Sequence, residues 1–486
     1  MRSLLPGVGR TDSEAMNERA ARGSFRDPSG FIFIEDGRLY RQVNHDYQQQ
    51  YELLLSSGIY EHLVQRDMLV PHQEVDVAPR TTDAFRVLQP ARIPFISYPY
   101  EWSFSQLKAA ALLTLSVQQT VMAKGMSLKD ASAYNVQFLG SKPVLIDTLS
   151  FEPYAEGHPW IAYGQFCRHF LAPLALMARR DIGLSQLLRA HIDGVPLPLA
   201  VKLLPWSTHL RPGYLIHLHM HARSQQRYSD RTIDVERGRV SRQALLGIVD
   251  NLRGLIEGLD WKPVGTEWAE YYEHVEHYSD EAMRHKSSLV ETFLGNVTTG
   301  HTVWDFGANR GVFSRLAAGR GAYVVCFDID PAAVERNYRR SAADGDANLL
   351  PLVMDLGNPS PALGWAHEER MALTDRGPAD CLMALALIHH LAFGNNLPFD
   401  RVAAFFAQCG KRLIIEFVPK SDPQSRILLR HRVDIFHGYT REAFERAFSA
   451  YFAIEHAVPI PGTERLLYVM DRLSDMSPVR VTGTAN

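Results

Sequence analysis

The stretch VWDFGANRGVFSRLAA, residues 303–318, runs from an apolar segment into a helix-forming one through a turn that carries Asp305, Gly307 and Gly311. Glycine at a strand-to-helix turn lets the backbone bend sharply and approach a ligand, and the helix start beyond it offers unpaired N–H groups. The pattern predicts a nucleotide-like ligand at the turn, with Ala308 and Asn309 against it. Taken alone, D-x-G-x-x-x-G also serves plain strand–helix packing. Its surroundings decide between the two. The next apolar run, YVVCFD, ends at Asp328, about 20 residues beyond the glycines, where a carboxylate can accept both hydroxyls of a ribose. A third run, LLPLVMD, ends at Asp355, beside the place an adenine would occupy. A single acid of this kind is readily a helix cap, as Asp330 before Pro331 is read. Acids at three successive strand ends point to a site.

From His301 onward, VWDF, YVVCFD, LLPLVMD, DCLMALAL, RLIIEFV, FAIEHAV and LLYVMDR are strand candidates, with helical patterns between the earlier ones. Near-continuous apolar runs separated by helices predict a parallel sheet covered on both faces, and the spacing of the last two suits an antiparallel edge. Seven strands, the glycine turn after the first and an acid after the second resemble class I S-adenosylmethionine-dependent methyltransferases, from about Val303 to Arg472. A dehydrogenase fingerprint would have glycine where Asn309 stands. The resemblance implies an α/β, Rossmann-like seven-stranded domain over 301–475 with S-adenosyl-L-methionine as cofactor. It also implies roles: Asp305 orders the glycine loop near the methionine amino group, Asp328 holds the ribose and Asp355 reaches the adenine amine. The resemblance extends upstream through the helical lead-in WAEYYEHVEHYSDEAMRHKSSLVETFL, whose Tyr278 and Lys286 either close over the cofactor or belong to helix surface and core.

Methyl transfer is an in-line displacement, so alignment does most of the work, and a base is needed only for an acceptor with a high-pKa proton. The fourth strand runs into Ile388-His389-His390-Leu391, placing two imidazoles at the rim where doubly wound sheets do chemistry. Either histidine is a candidate catalytic base, or one packs while the other touches cofactor. Glu416, in RLIIEFVPK, is the other acid expected at that rim, orienting an acceptor or capping a loop. The segments NPSPALGW and FGNNLPFD are long enough to shape a substrate pocket.

Upstream, residues 1–27 read as a loose polar arm, with order expected from about Gly30. Asp36-Gly37 between apolar runs predicts a hairpin, Tyr47–Val64 a helix, IPFISYPY a strand, Ser105–Lys124 a long helix and NVQFLGSKPVLID two short strands. In MSLKDASAYNVQFLGSKPVLIDTLSF, Asp130 precedes Asn135 by five positions and Asp147 ends a short strand. That order resembles the protein-kinase and aminoglycoside-phosphotransferase fold, which implies Asp130 as catalytic Asp, Asn135 and Asp147 as metal ligands, and ATP-Mg as a further cofactor. The match is partial. There is no glycine-rich phosphate loop, Lys129 stands next to Asp130, and Arg38 or Arg41 stands where a phosphate-binding lysine belongs. The alternative is a helical domain in which Asp130 caps a turn and Asp147 ends a strand.

The chain thus divides into an arm (1–27), an α+β, kinase-like or accessory domain (28–230), a helical connector and cofactor lid (231–300), the methyltransferase-like domain (301–475) and a tail (476–486). A net charge of -3 gives no global field toward nucleic acid or an anionic membrane. Cys167, Cys326, Cys381 and Cys409 form no CxxC pair, against zinc and a disulfide framework. Neither a signal peptide nor a membrane span is read, so the expected setting is cytoplasmic. The layout as a whole is also similar to bacterial methyltransferase-type proteins related to the nodulation protein family. The function expected is methyl transfer to a small-molecule or glycan acceptor. The alternatives are a bifunctional kinase and methyltransferase modifying a surface glycan, and a non-catalytic cofactor-binding scaffold.

Overall fold

The computed structural model describes residues 21–228, 240–263, 280–430 and 433–474. Positions 1–20 of the expected arm, Tyr278 with most of the lead-in, and the tail 476–486 lie outside the described residues.

The N-terminal part carries eight strands: β1 (Gly30–Glu35), β2 (Arg38–Asn44), β3 (His72–Glu74), β4 (Ala84–Pro90), β5 (Met126–Leu128), β6 (Val136–Leu139), β7 (Lys142–Leu145) and β8 (Phe151–Pro153). The first four form an antiparallel sheet in the order β1-β2-β4-β3, and β5–β8 and β6–β7 pair separately. Asp36 (φ 49°) and Gly37 (φ 73°) both take the left-handed conformation that a two-residue hairpin turn demands, and the expected β1–β2 hairpin forms there. The expected β6–β7 hairpin forms as well.

Three expectations are corrected. Order begins before Gly30, since Ala21 N–H donates to Ile32 O and Arg26 is ion-paired with Glu369. The helix expected over 47–64 is two helices, Gln48–Ser56 and Ile59–Gln65, because Gly58 turns left-handed at φ 66°. IPFISYPY is not a strand: Pro94 and Pro99 have no N–H to give a ladder, and the strand is β4 just before it. The long helix does form, over Phe104–Ala123, with Ser103 and Gln106 making a capping box.

The C-terminal part is built on β9 (Thr302–Phe306), β10 (Tyr323–Asp328), β11 (Leu349–Val353), β12 (Ala379–Ala384), β13 (Gly410–Phe417), β14 (Phe452–Pro459) and β15 (Leu466–Arg472). They form one sheet ordered β11-β10-β9-β12-β13-β15-β14. Pairing is parallel through β13, while β15 is antiparallel to both neighbours, so the antiparallel element expected at the end is a pair with β14 at the edge.

Alternation along the strands sends side chains to two different cores. Val303, Val324, Cys326 and Leu349 pack with Val290, Phe293 and Leu294 of the helix Asp280–Leu294. Trp304, Phe306, Phe327, Leu350 and Leu352 face a larger cluster that continues into the N-terminal part. Between β11 and β12 the chain makes only short 3-10 turns, Trp365–His367 and Thr374–Arg376. N-terminal residues reach this face of the sheet: Phe95 packs edge-on to Trp304 and Phe327, with ring centroids at 5.5 and 5.8 Å. Beside it Arg376 donates to Glu101 at 2.7 Å with both side chains buried, and Ser360 Oγ donates to the same carboxylate. The four cysteines are buried and free. Among the described residues no helix is long and apolar enough to cross a membrane.

Candidate active site

The carboxyl ends of β9, β10 and β11 open onto a cavity of about 280 Å³. Gly307 (φ 76°), Asn309 (φ 49°) and Gly311 (φ 71°) carry the turn after β9 through left-handed conformations, which glycine takes without strain and asparagine tolerates. At Gly311 the space is also used up, since a Cβ there would stand 2.7 Å from Asn337 Nδ2. Two backbone hydrogen bonds tie the turn to the neighbouring strand: Gly307 and Ala308 N–H both donate to Phe327 O, at 2.9 and 3.0 Å.

Asp305, Asp328 and Asp355 all line this cavity, along with Gly307, Ala308, Asn309 and Lys286. Asp305 accepts from Ser314 Oγ at 2.6 Å, and burial pushes its carboxyl up to about 7. Asp328 accepts the N–H of Asn309 at 2.7 Å and of Asp330 at 2.9 Å, yet burial still lifts it to about 6. Asp355 turns back on its own loop, accepting Gly357 N–H at 2.8 Å. Asp330 caps the next helix through Ala332 N–H. Apolar walls come from Ile329, Met354, Leu356, Leu387 and Leu391, none of them singled out by the sequence reading. Ile329 had a signal in its position next to Asp328, and it remains 57% exposed although large and apolar.

The rim residues separate. His390 lines the cavity, and burial holds its pKa down at about 4. His389, ring centroid 4.1 Å from that of His390, is not among the lining residues. It is buried with neither ring nitrogen hydrogen-bonded, and burial drives its pKa well below the usual histidine value. Glu416 is fully buried behind the wall, where Lys286 Nζ donates to Oε2 at 2.6 Å and Arg465 to Oε1 at 3.2 Å. Its Oε2 also accepts Ala386 N–H at 2.9 Å, and Arg465 continues to Asp422 at 2.6 Å. Lys286 sits 4.8 Å from the Phe313 ring centroid, its pKa lowered by burial against the pull of Glu416.

Asp130, Asn135 and Asp147 are brought together elsewhere, on a second cavity that Arg41 also lines. Asp147 is ion-paired with Arg41 and accepts from Ser150 Oγ, and Asn135 donates to the same Ser150 at 3.1 Å. Burial and the nearby charge of Asp147 raise the Asp130 carboxyl. Among the described residues no group of three or more His, Cys, Asp or Glu is arranged to hold a metal ion.

No protein-family model matches the chain. It is 37% identical over 465 residues to the nodulation protein NoeA of Rhizobium meliloti (strain 1021), covering 93% of this chain and 95% of that protein. Among solved structures, magnesium protoporphyrin IX methyltransferase (ChlM) from Synechocystis PCC 6803 with bound SAH is similar at 17% identity and a TM-score of 0.30, over 40% of this chain and 84% of that one. The N-methyltransferase NodS from Bradyrhizobium japonicum WM9 is similar at 10% identity and a TM-score of 0.29, over 40% of this chain and 98% of that one. Identity spread over nearly the full length of both proteins places this chain with NoeA: it belongs to that family of nodulation proteins.

Proposed function

We propose that the protein is an S-adenosylmethionine-dependent methyltransferase acting on a small-molecule or glycan acceptor. One observation carries the reading: Asp305, Asp328 and Asp355 stand at the ends of consecutive strands around one cavity floored by a glycine turn. The donor chemistry fits. The cofactor presents an ammonium, a ribose diol and an adenine amine, all hydrogen-bond donors, and the cavity presents carboxylates between apolar walls. When bound, S-adenosylmethionine supplies a methyl group on a sulfonium sulfur.

The chain's residues then bind and align. Asp328 already uses both oxygens on backbone N–H groups, which fixes its orientation while leaving lone pairs for the ribose hydroxyls. Asp305, locked by Ser314, would hold the amino group. Ile329 and Leu356, which line the cavity, would supply apolar surface to the adenine. Lys286 is charge-balanced by Glu416, so the positive sulfonium meets no uncompensated cation from that wall. His390, neutral near pH 7 because its pKa is held low, orients the acceptor by hydrogen bonding rather than acting as a strong base.

Calorimetric titration with S-adenosylhomocysteine tests the reading. Wild type is expected to bind, and Asp328→Ala to bind at least ~10-fold more weakly, about 1.4 kcal/mol. No binding by wild type at saturating concentration would sink it.

A further inference from the structure

The second cavity, about 660 Å³, is lined by four arginines, Arg26, Arg41, Arg168 and Arg370, that methyl transfer leaves unused. Its charges resolve by pairs. Asp147 is neutralised by Arg41, and Glu369 by Arg26 at 2.5 Å. Burial raises the Asp130 carboxyl above its ordinary value, and Asp27 and Asp193 are exposed to solvent. Arg168 and Arg370 remain. Neither makes a salt bridge among the described residues, and the Nε of each is buried without a hydrogen-bond partner, while Arg370 Nη1 donates to Glu369 O at 2.9 Å. The two line one cavity with His169, which follows Arg168 in the chain, and Arg370 lies over the Tyr134 ring at 3.9 Å while that ring meets His169 edge-on. His169 is 2% exposed and lines the cavity, and its Nδ1 has no partner. Burial holds its ring neutral, with a pKa near 3.

Half-buried guanidinium groups without a carboxylate partner, beside a buried imidazole with a free Nδ1, are suited to an oxyanion, because the planar fork of arginine matches phosphate oxygens. The cavity is larger than a phosphate needs, and its other wall carries hydrogen-bonding Asn135, Gln165 and Asp130. We propose that this cavity binds a phosphomonoester of a polyhydroxylated small molecule, the phosphate between Arg168 and Arg370 with His169 as a third partner, and hydroxyl groups toward Asp130 and Asn135.

Full-length protein titrated with glucose 1-phosphate, inorganic phosphate and glucose, at constant ionic strength in a thermal-shift assay, tests this. Glucose 1-phosphate is expected to raise the melting temperature saturably, phosphate more weakly and glucose not at all. Arg168→Gln and Arg370→Gln should each weaken glucose 1-phosphate by at least ~10-fold with far-UV circular dichroism unchanged, since each removes a charge-assisted hydrogen bond to the anion. The proposal is overturned if neither phosphate probe gives a saturable shift, or if both arginine variants titrate as wild type. A shift given by ATP-Mg alone, lost in Asp147→Ala and kept in both arginine variants, would also overturn it by moving the ligand to the carboxylate end. Should both variants melt below the assay temperature, glucose 1-phosphate against glucose on wild type decides.

Discussion

Burial lifts the carboxyls of Asp305 to about 7 and Asp328 to about 6, which ties stability and binding to pH in opposite directions. A carboxyl whose folded pKa is raised contributes stability below its unfolded value near 3.8, and that contribution is lost as pH rises through the folded pKa. The donors of the cofactor favour the ionised form. The unliganded protein is therefore expected to lose stability from about pH 4 to pH 7 and to change little above, while S-adenosylhomocysteine binds more tightly as pH rises through 6 and 7. Asp305→Asn removes one of the titrating groups, so its melting temperature relative to wild type should climb from about pH 4 to pH 7 and level off above. A flat difference in scanning fluorimetry would contradict the burial argument.

Elements hold these residues through a few long-range ties. The Lys286–Glu416 pair joins the helix Asp280–Leu294 to β13 with both side chains out of water. Breaking such a pair strands a buried charge, so Glu416→Ala should cost about 3–5 kcal/mol in chemical denaturation. Loss of that size with cofactor affinity intact would mark Glu416 as a structural tie, not a residue that positions the cofactor. Gly311→Ala meets a left-handed φ of 71° and Asn337 at 2.7 Å together. About 1–3 kcal/mol of strain is expected there, with weaker S-adenosylhomocysteine binding because the turn itself shifts.

Across the whole molecule, the face of the sheet that carries Trp304 and Phe327 belongs to a core shared with Phe95, Tyr98 and Trp102 of the N-terminal part. The turn of β6–β7 docks on the chain before β11, with Ser141 N–H donating to Asp346 O and Tyr338 Oη to Ser141 O. A fragment beginning at Asp280 would present that aromatic face to water. It is expected to aggregate or elute as large species in size-exclusion chromatography, whereas the full chain melts in one cooperative transition. A soluble, monomeric fragment would show that the sheet does not need its N-terminal cover.

What the sequence determined by itself is what short-range rules govern. The glycine turn, the strands with Asp305, Asp328 and Asp355 at or just beyond their ends, and both hairpins follow from period, chain direction and the few residues that accept left-handed backbone. The tertiary structure decided what depends on direction in space. His389 and His390 are neighbours in the chain and their rings pack 4.1 Å apart, yet only His390 reaches the cavity while His389 is sealed in the interior. Glu416 stands near the rim in sequence and behind the wall in space, held by Lys286 and Arg465 from distant segments. The cover over Trp304 and Phe327 comes from Phe95, more than two hundred positions earlier in the chain, and no local pattern records which distant segment fills such a gap.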